Sequence, residues 1–212
     1  MKKSPEPAIR GRPRGFDRDE ALSSALDVFW AKGYADASMT DLTAAMGINA
    51  PSLYSAFGSK EDLFREAVRL YTEREGQGLW RSMTEAPTAY GAVEGLLLAT
   101  AAVSGQCGRP QGCLLALSGV NPDALPDTAC SEVKKIRTDS MASMRARMET
   151  ARQVGEIGPD ADPAAMAAFY LTVQQGMTFR AREGAGPKEL TATAHAAMLA
   201  WDGLAGVKQA RG

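Results

Sequence analysis

Histidine is nearly missing from this 212-residue chain, which has one, His195. A Ser-His-Asp or Cys-His device would have to be built on that residue, and it sits among alanines in an amphipathic stretch, where a packed or interface role is the simpler reading. Cysteine is scarce as well. Cys107, Cys113 and Cys130 are an odd, scattered set that argues against a disulfide framework and suits thiols in a reducing compartment. With His195 they show none of the paired spacings that zinc requires. No apolar run is long enough to cross a bilayer, and no apolar stretch follows Met1-Lys2-Lys3-Ser4-Pro5-Glu6-Pro7, so no secretory signal is visible and a cytoplasmic, membrane-free protein is expected. No phosphate-cradling glycine loop with its lysine, no nucleotide fingerprint, no strand-like alternation and no internal repeat is found. Neither an enzyme nor a cofactor is implied. What remains is an all-α chain long enough for one small and one larger domain.

Net charge is also close to nil, at −1, which by itself disfavours a polyanionic partner. Its distribution argues the other way. Lys2, Lys3, Arg10, Arg12, Arg14 and Arg18 crowd the start, against Glu6 and Asp17. Within this arm, Arg10-Gly11-Arg12-Pro13-Arg14 has the form of a minor-groove hook, a slim extended backbone projecting arginines that a narrow A·T-rich groove attracts. The other reading is a solubility tail, but the arm stands directly before the stretch that carries most information.

That stretch spells two short helices and a tight turn. Ser38 caps a helix at Met39, with Asp41 completing a capping-box pattern. Leu42, Ala45 and Met46 fall on one face, and Gly47 supplies the left-handed stop. Asn49 caps a second helix with Pro51 in its first turn. Leu53 and Phe57 point inward at i, i+4, leaving Ala50, Ser52, Tyr54 and Ser55 to a partner. Ser59, with Asp62 three residues on, starts a further helix. Upstream, Asp17 and Glu20 open a long helix whose Leu22, Ala25, Leu26, Phe29, Trp30 and Gly33 follow a helical period. Phe29 and Trp30 are expected to brace the reader helices from a core that Tyr34 closes.

Gly47-Ile48, Ser52-Leu53-Tyr54, Phe57, Ser59-Lys60-Glu61 and Leu63 resemble the signature of the DNA-binding domain of the TetR/AcrR family of transcriptional regulators, over residues 16–71. The resemblance implies a basic arm over 1–15, an N-terminal three-helix helix-turn-helix DNA-binding domain over 16–60 and a larger C-terminal helical ligand-binding and dimerisation domain over 61–208. It implies a homodimer on a near-palindromic double-stranded DNA operator, released by an unknown small-molecule effector. By family analogy Ser38, Tyr54 and Lys60 hold phosphates while Ala50, Pro51, Ser52 and Ser55 face base edges. Ala50 and Pro51 bring no side-chain hydrogen bonds and the serines bond tolerantly, so no bidentate Arg–guanine or Asn–adenine pair is expected from the helix centre. Sequence preference would then depend on thymine methyls, DNA shape and the arginines of the arm.

Downstream, the helix from Lys60 is expected to run through Tyr71, weaken near Gly76 and Gly78, and act as a lever. Another helix carries Val93, Leu96, Leu97 and Ala101. Cys113 to Leu117 is continuously apolar and suggests a buried helix, followed by a break at Asn121-Pro122. Three amphipathic segments complete the chain: Val133 to Met148, Met166 to Met177, and Leu190 to Leu204. Ala164, Ala165, Ala167, Ala168, Ala192, Ala196 and Ala197 in the last two permit close pairing of helices across a dimer, solvent-exposed helix formers being the competing reading. Met141, Met144, Met177, Phe169 and Tyr170, with Cys113 and Leu117, are candidates for an adaptable apolar pocket, core filling being the competing reading for the methionines. Cys113 resembles a position used by some family members that respond to electrophiles or oxidants, which gives an alternative of a thiol-based sensor, with Cys107 as a possible oxidation partner. A second alternative is a helical interaction module without DNA function.

Overall fold

The computed structural model describes residues 15–103, 110–120 and 122–207, and among them the chain is all-helical, without strands. Arg10, Arg12, Arg14 and Cys107 lie outside the described residues.

Helix α1 (Arg18–Asp36) is capped by Asp17, whose carboxylate accepts from the backbone N–H groups of Asp19 and Glu20, and it bends at Gly33, where φ is +80°. Gly33 is therefore the bend and not the last member of the buried stripe. α2 (Met39–Met46) and α3 (Ala50–Phe57) follow, then α4 (Lys60–Tyr71). Leu22, Ala25, Leu26, Phe29 and Trp30 of α1 bury against Leu42, Leu53, Phe57, Leu63 and Phe64. Phe29 and Tyr34 stack, and both meet the Phe64 ring edge-on at 5.1 and 5.2 Å. Phe29 and Phe64, both fully buried, each contribute about 1.5–3 kcal/mol by leaving water. The first core takes in all of α4 and continues into Leu114, Leu125, Ala129 and Val133. Ala45 faces solvent, because Leu42 and Met46 alone fill the short seam of α2.

After α4 the chain widens into a π turn (Thr72–Gly76) and resumes as α5 (Gln77–Glu85). The weakening expected near Gly76 is thus a change of winding rather than an end, and Gly78 is helical. α6 (Ala89–Val103), α7 (Leu114–Ser118) and a 3₁₀ turn (Pro122–Ala124) lead to α8 (Asp127–Gln153), α9 (Pro163–Arg182), α10 (Pro187–Met198) and α11 (Trp201–Ala205). The last amphipathic segment is two helices, parted at Leu199-Ala200.

A second core joins Leu96 and Leu97 of α6, Met144 and Met148 of α8, Met166, Tyr170 and Met177 of α9, and Leu190, Met198 and Trp201 beyond. Polar contacts fasten α4 to the start of α8, the helix that runs from the first core into the second. Arg65 and Arg69 on α4 both grip Glu132 on α8, at 2.9 and 2.8 Å. Thr128 of α8 donates to Glu61 of α4. Burial pushes the Glu132 carboxyl up, but the two arginines outweigh it and hold it below the usual range.

Candidate nucleic-acid interface and cavity

The turn between α2 and α3 is set by local chemistry. Ser38 Oγ accepts from Asp41 N at 3.0 Å and donates to Asp41 Oδ2 at 2.7 Å. Hydrogen bonding to Lys32, then to Ser38, lowers the Asp41 pKa from 3.8 to about 2. Gly47 closes α2 at φ +65°, a left-handed conformation that an L side chain resists. Asn49 Oδ1 then accepts from Ser52 N at 2.9 Å to start α3.

With Leu53 and Phe57 buried, the opposite face of α3 is open: Pro51 and Ser55 are exposed, Ala50 and Ser52 half-buried, and the Tyr54 ring 50% exposed. A concave surface along this face is bounded by Gly15, Phe16, Asn49, Pro51, Ser52 and Ser55. Gly15 and Phe16 thus lie beside the exposed helix. The N-termini of α2, α3 and α4 add backbone N–H groups that suit phosphates.

Two basic residues take different places from those expected. Arg18 is not part of a free arm: its Nη2 donates to both Glu66 oxygens at 2.7 and 2.8 Å, and its guanidinium lies 4.4 Å from the Phe57 ring centroid. Lys60 Nζ sits 4.5 Å over the Tyr34 ring, and burial lowers its pKa. The Ser38 hydroxyl donates its hydrogen bond to Asp41.

On the other side of α4 lies a cavity of about 420 Å³. Its wall runs from α4 through the π turn into α5 with Tyr71, Glu75 and Leu79, along α8 with Lys134, Arg137, Thr138 and Met141, and along α9 with Leu171, Gln174 and Gln175. Cys113 and Leu115 of the α7 segment close it, and a recess of about 30 Å³ behind shares Tyr71, Cys113 and Gln174 and adds Trp30 and Thr178. Such a volume lies within the range of about 300–1,000 Å³ typical of small-molecule sites. Burial raises the Tyr71 pKa, and the hydrogen-bonded Cys113 thiol raises it further.

Of the residues expected at a ligand site, Cys113 and Met141 line this space. Leu117 faces a separate cleft beside Gly33 and Arg182. Met144, Tyr170 and Met177 are core side chains and Phe169 is exposed. Sequence reasoning missed Lys134, Arg137, Tyr71 and Gln174. Their i, i+3, i+4 recurrence is a usable signal, but polar residues on a helical stripe read equally well as solvated surface.

The recess touches the first core directly. Trp30 meets the Tyr71 ring edge-on at 5.0 Å and its Nε1 donates to Gly112 O at 3.0 Å. Arg182, at the end of α9, donates to Trp30 O at 3.0 Å and to Ala31 O. A cation there also suits the negative end of α1.

An exposed helix presented by a tight turn, on a core shared with a cavity-bearing helical unit, defines a helix-turn-helix DNA reader with a sensor attached. Residues 21–67 match the family model described as bacterial regulatory proteins, tetR family, and residues 92–198 match the tetracyclin repressor-like C-terminal domain. The chain belongs to the TetR family of transcriptional regulators. It is 31% identical to the transcriptional repressor ComR of Escherichia coli K12 over 92% of this chain and 93% of that protein. It is 32% identical to the repressor BdcR of the same organism over 88% of this chain and 89% of that protein. A triple-cysteine variant of the TetR-family regulator CifR, solved with 26-base-pair operator DNA, shares 38% identity with a TM-score of 0.83, covering 90% of this chain and all of that one (100%). The chain is thus a DNA-binding transcriptional regulator and not an enzyme, and the reading as an interaction module without DNA function gives way.

Proposed function

We propose that the chain is a homodimeric repressor that leaves its operator when a small molecule fills the cavity. The observation that carries this reading is the shared wall: Trp30 belongs to the core under the reader helices and also lines the recess behind the cavity. A ligand that repacks Tyr71, Gln174 or Thr178 displaces what Trp30 and Arg182 hold, and with it α1. Occupancy and the DNA-competent spacing of two readers then exclude one another, and the ligand shifts the population.

A dimer is supported by the outer face of α9, where exposed Ala168, Thr172 and Gly176 alternate with Phe169 and Phe179, 38% and 37% exposed, beside exposed Ala196 and Leu199 beyond α9. Small residues let helices approach and the two phenylalanines supply apolar area. Two readers on one twofold axis fit a near-palindromic site. Among the described residues no helix is long and apolar enough to cross a membrane, in keeping with a cytoplasmic regulator. In this reading Pro51, Ser52 and Ser55 face the bases, Tyr54 and the helix N-termini hold phosphates, and Arg10, Arg12 and Arg14 enter the flanking minor groove. Reversible occupancy is preferred to a thiol switch, because the lining already supplies apolar walls and polar groups independent of Cys113.

A reporter driven by the promoter beside the chain's own gene tests this. Expression should fall when the chain is supplied and recover with a Tyr54→Ala, Ser55→Ala double variant. A rise in expression would make the protein an activator, and an unchanged signal would place its operator elsewhere.

A further inference from the structure

We infer that the cavity is a site for an amphipathic monocarboxylate, whose acid group docks on Arg137 while its apolar body lies along α4, α5 and α9. The inference rests on the effector reading above and names the chemistry of that ligand.

Arg137 is half-buried in the cavity wall, and its Nε is closed off from solvent without a hydrogen-bond partner. Among the described residues no carboxylate lies within ion-pair distance of it. The contrast with its neighbours is sharp: Arg65, Arg69, Arg147 and Arg152 each have a glutamate. A buried donor left unmade is costly, so a guanidinium kept in this state is one that a ligand completes. A carboxylate fits best, because its two oxygens accept in the plane of the guanidinium fork.

Gly119 seats this group. A Cβ there would come within 2.7 Å of Arg137 Cζ and overlap the guanidinium. Lys134, one turn earlier on the same stripe, adds positive potential at the wall. Tyr71, Leu79, Trp80, Leu115 and Leu171 make the rest of the lining largely apolar. A volume of about 420 Å³ is too large for a bare small acid and calls for a hydrocarbon or aromatic body. One guanidinium with an open Nε takes one carboxylate, and the largely apolar remainder of the lining takes a neutral body.

The test titrates the full chain with decanoate and 2-naphthoate, and with decanol and decylamine as neutral and cationic counterparts. Tryptophan emission, with Trp80 in the cavity wall and Trp30 in the recess behind it, reports occupancy, and release of DNA flanking the chain's own gene is followed in parallel. The carboxylates should bind at least about tenfold more tightly than the alcohol or the amine, the scale of a charge-assisted hydrogen bond. Arg137→Met should remove that advantage while decanol binding persists. Gly119→Ala should do the same, since it displaces only the flexible end of an arginine side chain and leaves the fold in place. Equal or tighter binding of decanol or decylamine, no binding of either carboxylate, or carboxylate binding indifferent to both substitutions would overturn the assignment. Carboxylate binding through Arg137 that leaves DNA bound would uphold the site and remove the effector reading instead.

Discussion

Replacing Gly112 by alanine should destabilise the chain by about 2–4 kcal/mol, through three costs that the structure separates. Gly112 stands at φ +85°, where an L residue loses about 1–2 kcal/mol. Its Cβ would sit 2.9 Å from the backbone oxygen of Thr178 and 3.4 Å from Leu117 Cδ1. A helix carbonyl cannot swing away, so the loop itself must move. That movement stretches the bond from Trp30 Nε1 to Gly112 O, now 3.0 Å, which is worth about 0.5–1.5 kcal/mol. Gly155 is the control: φ is +79° and nothing lies within 4 Å of its Cβ, so Gly155→Ala carries the conformational cost alone. Urea unfolding at one fixed protein concentration, with midpoints compared at equal slope, measures both. Gly112→Ala should cost at least about 1 kcal/mol more than Gly155→Ala, the share of the clash and the stretched bond. Equal losses would refute the close approach of α9 to this loop, and with it the route from the cavity to α1.

Three further outcomes are expected. Phe179→Glu on the exposed face of α9 should shift sedimentation to the monomer mass and weaken operator binding, whereas an unchanged dimer would place the interface elsewhere. Deleting residues 1–14 should lower affinity and discrimination for A·T-rich flanks and flatten the log affinity against log salt plot by about 1–3, at roughly 0.9 for each phosphate no longer neutralised; unchanged binding would deny the arm its role. Asp41 titrates near 2 in the fold against an ordinary 3.8, so its stabilising contribution is complete above 3.8 and is lost as pH falls toward 2. Asp41→Asn should accordingly be less stable than the wild type at neutral pH and converge with it near pH 2, and a difference that persists in acid would assign the loss to the cap geometry instead of the charge.

The reader is legible in the sequence because its determinants are local. Ser38 with Asp41, Gly47, Asn49 with Ser52, and Ser59 with Asp62 act across three residues or fewer, and the structure places each as the spacing implies. Phe29 and Trp30 are legible as core for a similar reason, the period of α1. What escapes depends on distant partners. Arg18 groups with the arm along the chain, yet it belongs to Glu66, 48 residues away. Lys60 suits a phosphate by its position, yet Tyr34 lies beneath it. The cavity draws on α4, the π turn, α5, the α7 segment, α8 and α9, and its position depends on what each length of α8 meets. Arg137, Met141, Met144 and Met148 fall on one stripe of α8, at i, i+4, i+7 and i+11; Met144 and Met148 join the second core, and Arg137 and Met141, nearer the start of the helix, reach the cavity. Periodicity alone cannot distinguish two lengths of the same stripe. An unpaired arginine amid a polar stripe can be recognised only once the neighbouring carboxylates are located.

If α3 of two chains reads one operator, a salt series of the full chain on the duplex flanking its own gene, against an unrelated duplex and with the number of chains per duplex determined by sedimentation, shows it at once. A site-restricted complex of two chains per duplex, or two such pairs, is expected, with affinity falling steeply as salt rises. A single chain per duplex, or equal weak binding to both duplexes at every salt concentration, would contradict it.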